Sequence, residues 1–228
     1  MRREDLLERF LNKQGIFVIN KKKKISYSEE DSIRILAEFH KRAKKKRDYM
    51  LGLNSDIGKI REDYKLLLRR TILFRDELNI DCGKFIEMAE GSLNKISDDE
   101  FISLIRRSVG DSEIIIGRAS MNGFAFEEDK VYIKTFTKIR FGMIEDDFIR
   151  LMLRLNRKEE LINYEKLKNI FLEEEGLGEL SSRYIDSIIK YPYNFMKYSS
   201  DCYINDFKDI DSISNMIKIF EMEYKDKF

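Results

Sequence analysis

The chain has 228 residues, of which 43% are hydrophobic, enough for the core of one ordinary domain or of one lobe with an appendage. Its 43 basic and 42 acidic residues nearly cancel, so no global field draws it to nucleic acid or an anionic membrane. One proline and 11 glycines leave few breakers, which argues against an all-β fold and favours long helices.

In chain order, residues 1–12 read as a short amphipathic helix with Leu6, Leu7, Phe10 and Leu11 on one side. Gly15–Asn20 reads as a strand, and Lys21–Lys24 as a solvated turn. Ser28 with Asp31 three residues on is a capping-box signature; Ile33, Leu36, Ala37, His40 and Ala43 follow at helical spacing. A loop over Gly52–Gly58 precedes a helix with Ile60, Tyr64, Leu67, Leu68, Thr71, Phe74 and Leu78 as its buried stripe. Another helix follows Asp81, through Phe85, Ile86, Met88 and Leu93. A second capping box, Ser97 with Glu100, opens a helix through Phe101, Leu104 and Ile105.

The period then changes. Glu113–Gly117 is strand-like by its β-branched content. Phe124–Phe126 and Val131–Phe136, separated by Glu127–Lys130, predict a β-hairpin with a longer turn. Helical spacing returns after Gly142, through Phe148, Leu151, Met152 and Leu155, then Tyr164, Leu167, Ile170 and Phe171. It continues through Ile185, Ile188, Phe195, Ile213, Ile217 and Phe220. The expected class is mostly α (α+β), with a small hairpin in the middle and no βαβ repetition.

The chemistry-bearing residues are few. The start, Met1 to Asp5, is charged and followed by no apolar segment, so no signal peptide is expected. No stretch approaches the roughly 20 apolar residues of a membrane span. Cys82 and Cys202 are far apart and fit neither a disulfide scaffold nor zinc spacing, consistent with a reduced protein made in the cytoplasm. His40, the single histidine, lies on the apolar side of its helix and reads as a packing residue. Asp146 and Asp147 open a helix, where carboxylates suit the dipole. The tyrosines Tyr191, Tyr193, Tyr198 and Tyr203 read as packing, with an interface as the alternative. Lys41, Arg42, Lys44, Lys45, Lys46 and Arg47 form the strongest local cluster of charge. It is a candidate interaction surface, although cations at a helix end are favourable in their own right.

Four stretches carry a family resemblance: Leu36–Lys41 (LAEFHK), Ile57-Gly58-Lys59, Gly117 through Phe136, and Tyr191–Tyr203 (YPYNFMKYSSDCY). Their order and spacing over roughly residues 30–205 are similar to those of the CotS-type spore coat proteins, which are built like aminoglycoside and choline phosphotransferases. The resemblance implies the helical C-lobe of a protein-kinase-like fold over residues 29–228, with a hairpin near 113–136. Residues 1–28 then read as a remnant of the N-lobe, since a five-stranded lobe needs roughly three times that length.

The departures from the family pattern set the functional expectation. Where the family reads "HGD…N", this chain has Ile116-Gly117-Arg118. The register puts Gly123 at the expected Asn, with Asn122 beside it. Where the metal turn reads "VYVIDF", Thr135 stands at the Asp. Phosphoryl transfer in this fold requires those anions to orient the acceptor and hold Mg²⁺. The resemblance also implies an Asp near the following helix start that braces the catalytic loop, a role Asp147 can keep.

The expectation is therefore a non-catalytic, pseudokinase-like protein with no cofactor and no metal. It would act with other proteins, such as coat components, as a spore coat or sporulation scaffold outside the membrane. The alternatives are a phosphotransferase completed by a partner, drawing metal ligands from Asp111, Glu113 or Glu127–Asp129, and a nucleic-acid or regulatory module using residues 41–47.

Overall fold

The computed structural model describes residues 3–18, 27–44, 53–120, 123–156 and 163–225. The elements run α1 (Arg3–Lys13), β1 (Ile16–Val18), α2 (Glu29–Ala43), α3 (Lys59–Leu78), α4 (Gly83–Leu93) and α5 (Asp98–Asp111). Short strands follow: β2 (Ile114–Ile115), β3 (Phe124–Glu127), β4 (Lys130–Ile133) and β5 (Arg140–Phe141). The chain then continues through α6 (Ile144–Asn156), α7 (Tyr164–Glu175), α8 (Glu179–Ile189), α9 (Tyr193–Ile204) and α10 (Ile210–Lys225). The fold is mostly α with a minor β part, as its periodicity predicts. It forms two compact units, one of residues 1–58 and 97–185, the other of 59–96 and 186–228.

In the first unit both expected N-caps form. Ser28 Oγ accepts from the Asp31 N–H, and Ser97 with Glu100 makes both arms of a capping box. The hairpin β3–β4 pairs Phe124 with Ile133 through Glu127 with Lys130. Its turn is shorter than expected: only Glu128 and Asp129 lie outside the pairing, at φ of 49° and 57°. Two successive left-handed residues match the twist of the flanking strands, which is why a two-residue turn closes here without glycine.

β1 lies parallel to β4, Ile16 opposite Val131, so residues 3–18 belong to this unit and complete a sheet of order β1-β4-β3. The outer edge of β3 is also occupied. Phe126 faces Val131 as a pair that exchanges no hydrogen bond across the hairpin, so its backbone groups point outward. The Tyr27 hydroxyl takes both, donating to the Phe126 carbonyl (3.0 Å) and accepting from its N–H (3.2 Å).

The strand-like run at 113–117 does not join the hairpin. Its two-residue strand β2 pairs antiparallel with β5, a strand too short to show in the sequence. Gly142 follows β5 so closely against Ile115 that a Cβ there would lie 2.3 Å from its side chain. The core around these elements is apolar and tightly stacked; the Phe148 and Phe171 rings, both fully buried, sit 4.7 Å apart. Each such ring contributes about 1.5–3 kcal/mol by leaving water.

The second unit is helical. α3 packs through aromatic rings on α9 and the residues just ahead of it: Tyr64 lies 5.4 Å from Tyr193 and 4.3 Å from Tyr191, whose hydroxyl donates to the Tyr64 carbonyl at 2.8 Å. Phe85 of α4 stacks on Phe195 of α9 at 4.0 Å, and Phe220 of α10 meets Phe195 edge-on. Tyr191 is thus a core residue, in line with the packing reading.

Candidate functional site

The segment 116–120, between β2 and β3, is held in place by α6. Asp147 in the first turn of that helix accepts from the backbone N–H of Ile116 (2.5 Å) and of Gly117 (2.9 Å). Arg150 donates to the Gly117 carbonyl (2.9 Å) and Arg154 to the Ala119 carbonyl (2.5 Å). Steps of three and four residues put 147, 150 and 154 on one helix face, so one face grips the loop at three successive points. Gly117 itself sits at φ +72°, where a Cβ would lie 2.6 Å from the Lys138 carbonyl. Only glycine fits both that dihedral and that gap.

Behind Asp147 lies a buried charge cluster. His40 Nε2 is 3.4 Å from Asp147 Oδ2, and its Nδ1 is 2.6 Å from Glu175 Oε1. All three side chains are essentially shielded from water. Burial by itself pushes the imidazole toward neutrality, but the two carboxylates outweigh it and raise the pKa to about 10. His40 is therefore an imidazolium at neutral pH, donating from both nitrogens and tying α2 to α6 and α7. It is a satisfied packing histidine, as its apolar helix face suggests, and it carries charge.

The neighbouring Asp146 takes the opposite course. Its Oδ1 accepts from the Tyr184 hydroxyl (2.9 Å), while the buried Oδ2 has no partner among the described residues. Burial pushes this carboxyl up to about 8, against the pull of Tyr184 and Arg150, so it is largely protonated at pH 7.

Three further carboxylates are committed elsewhere. Arg107 grips Glu145 with two bonds (2.8 and 2.7 Å), reaches Glu113 at 3.0 Å and donates to Ser181 Oγ. Burial pushes the Glu113 carboxyl up, Arg107 opposing. Asp56 meets Arg140 at 2.6 Å and Arg150 at 3.5 Å.

The positions expected to carry or lack chemistry fall around this frame. Arg118 is exposed at the tip of the loop. Gly123 is buried, its N–H donating to the Ser120 carbonyl and its carbonyl accepting from Lys134. Thr135 is half-buried, its hydroxyl 3.0 Å from that of Thr137 and accepting from the Thr137 N–H. Asn122 lies outside the described residues. Among those described, no group of three His, Cys, Asp or Glu side chains is arranged to hold a metal ion. The alternative metal ligands are spread out: Asp111 pairs with Lys44 and Glu113 with Arg107, while Glu127 flanks the hairpin turn.

The basic cluster is partly neutralised within the fold. Lys41 meets Glu174 (3.1 Å) and Lys44 meets Asp111 (2.7 Å). Arg42 is a structural clamp. It donates to Glu38 (2.6 Å) and to both the carboxylate (2.6 Å) and the carbonyl (2.8 Å) of Asp129 in the hairpin turn, and its guanidinium lies over the Phe126 ring. Lys45, Lys46 and Arg47 lie outside the described residues.

Sequence reasoning missed Glu175, Arg107, Arg150, Arg154 and Tyr184 as members of this frame. The regular spacing of 147, 150 and 154 is the one signal that points to some of them. No helix among the described residues is long and apolar enough to cross a membrane. No family model and no curated protein matches the chain.

Proposed function

We propose that this chain is a kinase-like protein that transfers no phosphate and works through its surfaces, as a spore coat or sporulation-associated scaffold. The spore coat role rests on the four resembling sequence stretches alone. The observation that carries the non-catalytic part is the placement of Arg118 and Thr135. Asp147 accepts from the backbone of the loop, yet the loop presents a guanidinium to solvent, and the Thr135 hydroxyl is occupied by Thr137. A nucleotide–Mg²⁺ complex needs carboxylate oxygens in such places. The carboxylates near the loop are bound to arginine, histidine or backbone, or are held protonated by burial.

The pairing of Lys41, Arg42 and Lys44 with acidic neighbours counts against the nucleic-acid alternative. The test is a thermal-shift titration with ATP, with and without Mg²⁺. No stabilisation is expected, whereas a saturable Mg²⁺-dependent rise in Tm would overturn the reading.

A further inference from the structure

A cavity of about 150 Å³ opens between α1, the segment before α3 and the turn leading into β5. Leu7, Leu53, Phe136 and Ile139 supply apolar walls, and Asn54, Thr137 and Arg140 supply polar groups. All belong to the first unit. A space of this size takes a single six-membered ring. The polar side is preorganised. Arg140 is anchored by Asp56 through Nη1 (2.6 Å) and by the Lys138 carbonyl through Nε (3.1 Å), while its Nη2 makes no hydrogen bond among the described residues.

The charge at this wall is positive, because Arg140 and Arg150 share the carboxylate of Asp56. The segment carrying Asn54 is fixed along β5 by the Phe141 N–H to Asn54 carbonyl bond (3.0 Å) and the Asp56 N–H to Phe141 carbonyl bond (2.8 Å). The Asn54 carboxamide is exposed and makes no hydrogen bond among the described residues.

We propose that this cavity binds a small aromatic carboxylate without metal. The ring lies among Leu7, Leu53, Phe136 and Ile139, and the carboxylate meets Arg140, Asn54 and the Thr137 hydroxyl. Apolar walls joined to a few polar groups can hold a small molecule by its ring and its charge together, here at fragment size. The inference goes beyond the scaffold reading and does not rest on it.

Benzoate is the probe, titrated into the whole chain and followed by amide NMR shifts. Saturable shifts are expected at residues 53–54 and 136–140, with a Kd of about a millimolar. Benzyl alcohol, the uncharged counterpart, is expected to bind at least about fivefold more weakly. Leu53→Trp fills the space and abolishes the shifts; Asn54→Ala, at an exposed position, leaves the fold intact and weakens binding severalfold. The proposal is overturned by absent or non-saturating shifts, by equal affinity for benzyl alcohol, by inorganic phosphate competing as well as benzoate, or by unchanged shifts in Leu53→Trp.

Discussion

Asp147→Asn tests whether the loop is held by the charge behind it. In the parent, the carboxylate accepts from two backbone N–H groups at 2.5 and 2.9 Å and balances His40 at 3.4 Å. Asparagine keeps one acceptor oxygen but turns an NH₂ group toward a second donor, leaving a buried N–H unpaired at a cost of about 1–3 kcal/mol. It also leaves the imidazolium with Glu175 alone, and breaking a buried ion pair costs about 3–5 kcal/mol. The two losses share one side chain and do not add, so a total of about 3–5 kcal/mol is expected. For a chain of this size that lowers Tm by about 6–20 °C.

Urea unfolding at pH 7 measures the loss, and amide exchange at Ile116 and Gly117 should accelerate with it. A second signature is the pH slope. The folded-state pKa of His40 is raised, so its contribution is complete below the unfolded value of 6.5 and drains away as pH rises through about 10. That slope should flatten in the variant. A loss under about 1 kcal/mol, with exchange at both amides unchanged, would show that the loop is held by other means.

Asp146→Asn should have the opposite sign. The parent carboxyl is raised from 3.8 to about 8, so burying it costs progressively more stability as pH rises through that window. The variant should therefore gain on the parent by about 1.4 kcal/mol per pH unit across the window, read from urea midpoints at several pH values. Gly117→Ala should destabilise by about 2 kcal/mol or more, from the positive φ and the close Lys138 carbonyl together, as measured by denaturant unfolding. Glu128→Asn places a residue that tolerates the left-handed region at the first turn position and should stabilise by about 0.5–1 kcal/mol; an unchanged or lower Tm would contradict the turn geometry.

The parts legible in the sequence are those governed by neighbours along the chain. The caps at Ser28 and Ser97 depend on residues three apart, and both form. The hairpin is legible from its alternation, but its two-residue turn is not, because Glu128 is an uncommon residue at positive φ and no glycine marks the turn. The partner of β2, the parallel seat of β1 and the division into two units depend on segments distant in sequence and leave no local pattern.

The candidate site divides in the same way. Asp147 stands out in the sequence only through what the family resemblance implies, and its carboxylate accepts from the Ile116 and Gly117 N–H groups. The charge on His40 comes from Glu175 and Asp147, 135 and 107 residues away, and nothing near His40 in the sequence announces it. Likewise Lys41, Arg42 and Lys44 read as free positive charge until Asp111, Asp129 and Glu174 are brought beside them.

Tyr27 has a consequence for assembly. A bare strand margin invites another chain to extend the sheet, and such growth is hard to limit. One phenol oxygen here spends both of its bonding capacities on the peptide groups that would otherwise recruit a neighbour. If the protein builds larger structures, the peptide groups of Phe126 are closed to backbone zippering by a neighbouring strand.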